Sequence, residues 1–177
     1  KEAIDNAVSG GAEEVNVYFA GGVYSVTQQL SLASISIPVK LSGGYLAETD
    51  GSLEKGETKT VFTRSTEDYI RFVGADTLSA FRIEGITFNG GYINGKGGKG
   101  GAVYLEDSAT VISNCVFIAN RFNDSNSGGT GVAPFGGGGA VAAVTSGSLH
   151  LINSRFSGNY RSAGNANNGS GGAVYAK

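Results

Sequence analysis

The chain has no methionine, no tryptophan, one histidine, two prolines and a single cysteine. One cysteine, Cys115, excludes an internal disulfide framework. No apolar run approaches the ~18 residues of a membrane-spanning helix, so direct membrane insertion of this segment is not expected. No signal peptide stands in the sequence, so export would imply a mature or trimmed form. Charge is also sparse. Thirteen basic and fifteen acidic residues leave a net charge of -2, and the Lys and Arg residues are scattered in sequence without a basic stripe. That pattern argues against nucleic acid as a partner.

What is abundant is glycine, 30 of 177 residues, against a usual share of ~7%. It lacks the three-residue period of collagen. With 40% hydrophobic residues the chain is not a disordered tail either. Short runs of Val, Ile, Phe and Tyr between glycines read as strands separated by tight turns.

The strands repeat. Gly-Gly-Ala-Val recurs at Gly100, Gly138 and Gly171, and the first and last copies extend to Tyr104 and Tyr175. Between these copies stand Ile112 to Phe117 leading to Asn120, and Leu151 to Phe156 leading to Asn159. A weaker version runs from Ile83 to Phe88 and leads to Gly91. Phe88, Phe117 and Phe156 are 29 and 39 residues apart, as one coil plus loops of variable length would give.

A unit this short cannot bury its apolar face alone, but stacked units share one core. Equivalent residues then stack ~4.8 Å apart. This predicts an inward column of Phe88, Phe117 and Phe156. It also predicts amide ladders of Asn114 with Asn153 and of Asn120 with Asn159. The small Ala102, Ala140 and Ala173 fit where the chain re-enters the core, after glycines that supply turn dihedrals.

The N-terminal half offers strands at Val15 to Phe19, Gly22 to Val26, Ile35 to Leu41, Val61 to Thr63 and Ile70 to Val73. Ala3, Ile4, Ala7 and Val8 have helical spacing, stopped by Gly10-Gly11. The expectation is one all-β domain over 1–177, a right-handed parallel β-helix with Gly-rich loops. A capping helix would lie within 1–11 and coils would fill 12–177. The sequence stops as a new Gly-Gly-Ala-Val unit opens, which reads as a fragment of a longer protein or as a coil end covered by a partner.

Phe-x-x-Asn at Phe117–Asn120 and Phe156–Asn159, alternating with Gly-Gly-Ala-Val, resembles the paired repeat of the polymorphic outer membrane proteins, an autotransporter-type adhesin family. Ala3-Ile4-Asp5-Asn6-Ala7, followed by Val17 to Tyr24, is similar to the opening of pectate-lyase-like β-helices. Leu41 to Tyr45 resembles the Gly-Gly-Tyr element of β-helical surface proteins. The resemblance implies export, an extracellular or outer-membrane location, and adhesion to a host protein or glycan. It carries no catalytic residues, and the anchoring β-barrel of that family has no counterpart in these residues.

The same fold class hosts pectinolytic enzymes, but their Asn-x-Asp, Asp-Asp, Gly-His-Gly and Arg-x-Lys groups are absent. His150 lies between Leu149 and Leu151, so alternation turns it to solvent. Asp76, Glu84, Glu106 and Asp107 are candidates for an acidic cluster near Arg82 or Arg71, although turn acids are usually solvated. Gly95 to Gly100 fits G-x-G-x-x-G, and Gly90 to Lys96 nearly fits a phosphate loop. The residues after them, Ala102 to Leu105, read as strand rather than the helix such a loop needs. Asn123 to Gly128 has oxygen ligands at alternate positions but lacks the distal Glu of a calcium loop. The turn Glu48 to Gly51 is weaker still.

Gly128 to Gly139 and Gly164 to Gly172 read as projecting loops. Tyr92, Phe122, Phe135 and Tyr160 are candidate exposed contacts near them, the alternative being that they pack locally against the wall of the fold. No catalytic, metal-binding or cofactor-binding residue is assigned, and no cofactor is expected. The leading function is a non-catalytic adhesive or structural surface protein. The alternative is a carbohydrate-active β-helix protein, either lyase- or hydrolase-like or glycan-binding. Ice binding lacks its regular Thr ladder. An uncapped last coil also predicts end-to-end self-association.

Overall fold

The computed structural model describes residues 1–46, 52–64, 69–94, 99–123, 137–144, 147–162 and 172–176. They form an all-β structure of mainly parallel sheets with one short N-terminal helix. After the helix α1 (Glu2–Ser9), the chain makes five similar circuits. The first holds β1 (Val15–Ala20), β2 (Gly22–Val26) and β3 (Leu30–Ala33). The second holds β4 (Val39–Tyr45), β5 (Thr60–Arg64) and β6 (Val73–Asp76). The third holds β7 (Phe81–Glu84), β8 (Ile86–Asn89), β9 (Tyr92–Asn94) and β10 (Val103–Glu106). The fourth holds β11 (Thr110–Ser113), β12 (Val116–Ile118), β13 (Arg121–Asn123) and β14 (Val141–Val144). The fifth holds β15 (Leu149–Ile152), β16 (Arg155–Ser157), β17 (Tyr160–Ser162) and β18 (Val174–Ala176).

Each strand pairs in parallel with its equivalent one circuit on. Sheet A is β1-β4-β7-β11-β15, sheet B is β2-β5-β8-β12-β16 and sheet C is β3-β6-β10-β14-β18. Sheet D, β9-β13-β17, lies between B and C in chain order.

Because side chains alternate along a strand, pairing in register stacks like on like. Val17, Leu41, Ile83, Ile112 and Leu151 form one column of sheet A. Leu30, Val73, Val103, Val141 and Val174 form one of sheet C. The aromatic column is longer than the three residues expected, because Tyr24 and Phe62 precede Phe88, Phe117 and Phe156. Its later members lie nearly parallel, with Phe88 and Phe117 centroids 5.1 Å apart and planes at 18°. Its earlier members meet edge-on, as Tyr24 does Phe62.

The amide ladder of Asn120 and Asn159 forms as expected. Asn120 Nδ2 donates to Asn159 Oδ1 (2.9 Å) and to the Phe88 carbonyl (3.0 Å), while Gly91 N donates to Asn120 Oδ1 (2.8 Å). Asn114 and Asn153 do something else. Both are exposed, with φ of 53° and 47°, and they turn the chain from sheet A to sheet B. Gly85 holds the same position at φ 68°. A short polar side chain tolerates this left-handed bend, so here asparagine serves the corner rather than the stack. Asp107 is likewise a corner residue (φ 46°), equivalent to Thr77 and Ser34 at the turn from sheet C to sheet A.

The Gly-Gly pairs act chiefly by close approach. A Cβ on Gly101 would lie 2.4 Å from Gly139 O and 2.5 Å from Arg121 O. Ala102 and Ala140 are buried beside them and Ala173 is partly buried.

Two predicted strands start later than expected. Pro38 has no N–H to give a ladder, and the strand of the Ile35 to Leu41 region begins at Val39 and runs on to Tyr45. Ile70 and Phe72 are buried core residues before β6 rather than part of it. The helix forms where predicted. Ile4 is buried and Ala7 and Val8 pack on the core, whereas Ala3 is exposed.

Candidate functional site

Sheet D carries the most organised surface among the described residues. Period-two alternation puts Tyr92 and Asn94, Arg121 and Asn123, and Tyr160 and Ser162 on one side of its strands. Register pairing then aligns them as a Tyr92–Arg121–Tyr160 column and an Asn94–Asn123–Ser162 column. The Arg121 guanidinium lies 4.8 Å from the Tyr92 ring centroid and 5.1 Å from that of Tyr160. Arg64 adds a second cation 5.4 Å from the Tyr92 ring centroid, and the Tyr69 ring meets Tyr92 edge-on at 4.9 Å. Asn123 Nδ2 donates to the Tyr92 hydroxyl (3.3 Å), and Ser162 Oγ donates to Asn123 Oδ1 (2.8 Å). Such cation–ring stacking fixes flexible arginines in place.

Of the predicted contact residues, Tyr160 is exposed and Tyr92 half-buried. For Phe122 the exposed-contact reading is corrected, and local packing holds instead. This residue belongs to the alternate column and is buried, with Arg161 over its ring at 5.6 Å and Gly137 leaving room for it. Phe135 lies outside the described residues. Arg64, Tyr69 and Arg121 were not singled out from the sequence. The signal was the repeat itself, since Tyr92, Arg121 and Tyr160 each follow the Phe-x-x-Gly/Asn element directly.

The connections 95–102, 124–140 and 163–173 each join a sheet D strand to the next sheet C strand. The residues of the G-x-G-x-x-G match from 95 to 98 lie outside the described residues. So do those of Asn123 to Gly128 beyond Asn123, the turn Glu48 to Asp50 with Gly51, and most of both Gly-rich loops. Ala102 to Leu105 leads into strand β10 rather than a helix, as read from the sequence.

A second polar group sits on sheet C. Arg71 is largely buried. Its Nε donates to the Gly100 carbonyl (2.9 Å), and its guanidinium lies 4.8 Å from the Tyr104 centroid. Burial lowers its pKa to about 10 despite the favourable charge of Tyr104. Tyr104 Oη donates to Glu106 Oε2 (2.5 Å) and accepts from Lys99 Nζ (3.3 Å). Burial, and then the hydrogen bond to Glu106, push the Tyr104 phenol well above its ordinary range. This tyrosine is a protonated donor at neutral pH.

The four candidate acids do not form one cluster, since Glu84 stands apart from the other three. Asp76 and Glu106 are register partners on sheet C, and Asp107 turns the corner after them. Glu84 is on sheet A, bonded to Lys40 (2.9 Å) with Lys55 at 4.0 Å. Arg82 is exposed on that same sheet. No group of three His, Cys, Asp or Glu side chains suited to a metal occurs among the described residues. His150 is exposed on β15, as alternation predicted.

At the other end of the core, a cavity of about 430 Å³ opens beside α1. Ile4, Val17, Phe19, Tyr24, Leu30 and Phe62 are among the residues lining it. No helix among the described residues is long and apolar enough to cross a membrane. No known family model, no curated protein and no solved structure matches the chain.

Proposed function

We propose that the chain is a right-handed parallel β-helix that serves as a non-catalytic, adhesin-like binding protein, secreted or displayed at a bacterial surface. The five circuits, each strand paired one circuit on, are what coils of such a helix produce. The right hand follows from the strong preference of parallel crossovers. The observation that carries the functional reading is the sheet D wall. A fixed tyrosine–arginine column stands on the sheet whose strands are followed in sequence by three Gly-rich connections. Rigid aromatic and arginine anchors beside Gly/Ser/Asn-rich loops form a composition suited to protein recognition. A stiff stack of circuits would hold that face away from the cell.

The test is a screen of host matrix and cell-surface proteins beside a glycan array, with and without calcium. Protein or cell binding without glycan turnover supports this reading. Calcium-dependent cleavage of a glycan sinks it.

A carbohydrate-active reading stands second, on the Arg71–Tyr104–Glu106 group. A buried cation beside a protonated phenol suits an acidic or polar sugar. Turnover lost in Tyr104→Phe would favour that reading.

A further inference from the structure

Arg121 is held in place by two rings, yet the described residues supply no anion for it. A guanidinium carries five N–H donors. Among the described residues Arg121 makes one long hydrogen bond, from Nη2 to Ser162 Oγ at 3.4 Å. Its buried Nε has no hydrogen-bond partner. None of the described ion pairs involves it. Half-buried between Tyr92 and Tyr160, it has already lost much of its hydration and its side-chain freedom. An incoming carboxylate would therefore meet a preorganised fork at low entropic cost.

We infer that Arg121, framed by Tyr92 and Tyr160, is the anchor for a carboxylate on an acidic protein partner. This inference rests on the reading of the chain as a binding protein. Arg64, the other charged side chain described over the Tyr92 ring, is a cation as well, so this column brings no described carboxylate of its own to Arg121. Tyrosine and arginine are also the residues that dominate protein–protein hot spots.

The geometry favours a protein over a glycan. A sugar ring stacks on an open aromatic face, but Tyr92 already has Arg64, Arg121 and the Tyr69 ring around it. Strand β13 is paired on both sides, so the partner meets side chains here and does not add a strand.

The experiment measures binding of the full chain to immobilised poly-L-glutamate, with hyaluronan and dextran as soluble competitors. Arg121→Gln, Arg121→Lys and the distant exposed control Arg155→Gln are compared after each is shown to fold by circular dichroism and thermal melting. Wild type and Arg155→Gln should bind alike. Arg121→Gln should bind roughly tenfold more weakly or worse, and Arg121→Lys should fall between, because it keeps the charge and loses the fork. If Arg121→Gln fails to fold, the comparison of Arg121→Lys with wild type decides. The inference is overturned if the Arg121 variants bind like wild type, if wild type does not bind poly-L-glutamate, or if hyaluronan competes better than free poly-L-glutamate. The same variants in the host-protein screen separate the two readings. Host-protein binding that ignores Arg121 removes this anchor alone, whereas absence of any partner removes the binding function itself.

Discussion

Phe117 and Phe156 lie face to face, their ring centroids 4.8 Å apart and their planes within 3° of parallel. The two are register partners on neighbouring strands, so the stacking follows from the backbone pairing. Phe117 is fully buried in the middle of the aromatic column. Phe117→Ala should therefore destabilise the protein by about 3–5 kcal/mol. Phe156→Ala, half-buried in the last circuit, should cost clearly less. Equilibrium urea unfolding of both variants measures the difference, and equal losses would contradict the stacked core.

Asn120 offers a sharper test, because its amide serves two circuits at once. It accepts from Gly91 N, and it donates to Phe88 O and to Asn159. Asn120→Ala leaves buried backbone groups unpaired and should cost about 2 kcal/mol. Hydrogen exchange should localise the damage, with Gly91 N–H losing protection before the amides of sheet A.

The Lys40–Glu84 pair predicts a small pH effect. The hydrogen bond from Lys40 chiefly holds the Glu84 carboxyl below its ordinary value, against an opposing effect of burial. Its contribution is present above the unfolded carboxylate pKa and is lost as pH falls through the lowered folded value. Lys40 is raised, chiefly by the hydrogen bond to Glu84, so its share persists at neutral pH and disappears only as pH rises through that raised value. Both side chains are about one-third exposed, so the effect should not exceed about 1 kcal/mol. In Glu84→Gln the acid limb of a stability–pH profile should flatten by that amount or less.

Cys115 packs under the turn after β11, where burial pushes its thiol up to about 11. At neutral pH it should react with a thiol reagent only through unfolding. Labelling rates that track urea concentration would agree with this, and fast labelling of the native protein would not.

The fifth circuit leaves Leu151 and Ile152 exposed, at 38% and 48% of their surface, on β15, which forms the edge of sheet A. The 177-residue chain should therefore self-associate with rising concentration, as seen by analytical ultracentrifugation. Leu151→Lys should shift it toward monomer.

Much of the repeat was readable because each circuit reuses the same residue types at the same register. Phe, Asn and Gly-Gly-Ala-Val mark equivalent positions in the sequence itself. Tyr24 and Phe62 escaped because the first two circuits lack the Asn that marks the later ones. The sheet D wall was harder to see. Its column alternates tyrosine with arginine, so position rather than identity is shared, and Arg64 joins it from the end of β5 in sheet B and Tyr69 from the connection between β5 and β6. The spacing of Asn114 and Asn153 suggests a ladder, yet both take a left-handed corner, because local spacing does not reveal backbone handedness. The split between Asn120 inside and Asn114 at a corner needs the chain path itself.

The uneven spacing of the phenylalanines also has a location. Asn89 to Tyr92 and Ile118 to Arg121 are equal steps, and the extra length of the fourth circuit falls almost wholly between Asn123 and Val141. Growth or loss of residues there is register-neutral, because every column of the other three walls is anchored on strands outside that stretch. The same tolerance shows at a second corner, where β4 and β5 are joined by a long connection while β7 and β8 are joined through Gly85 alone. Length is thus absorbed at corners, and the stacked columns keep their alignment whatever the corners hold.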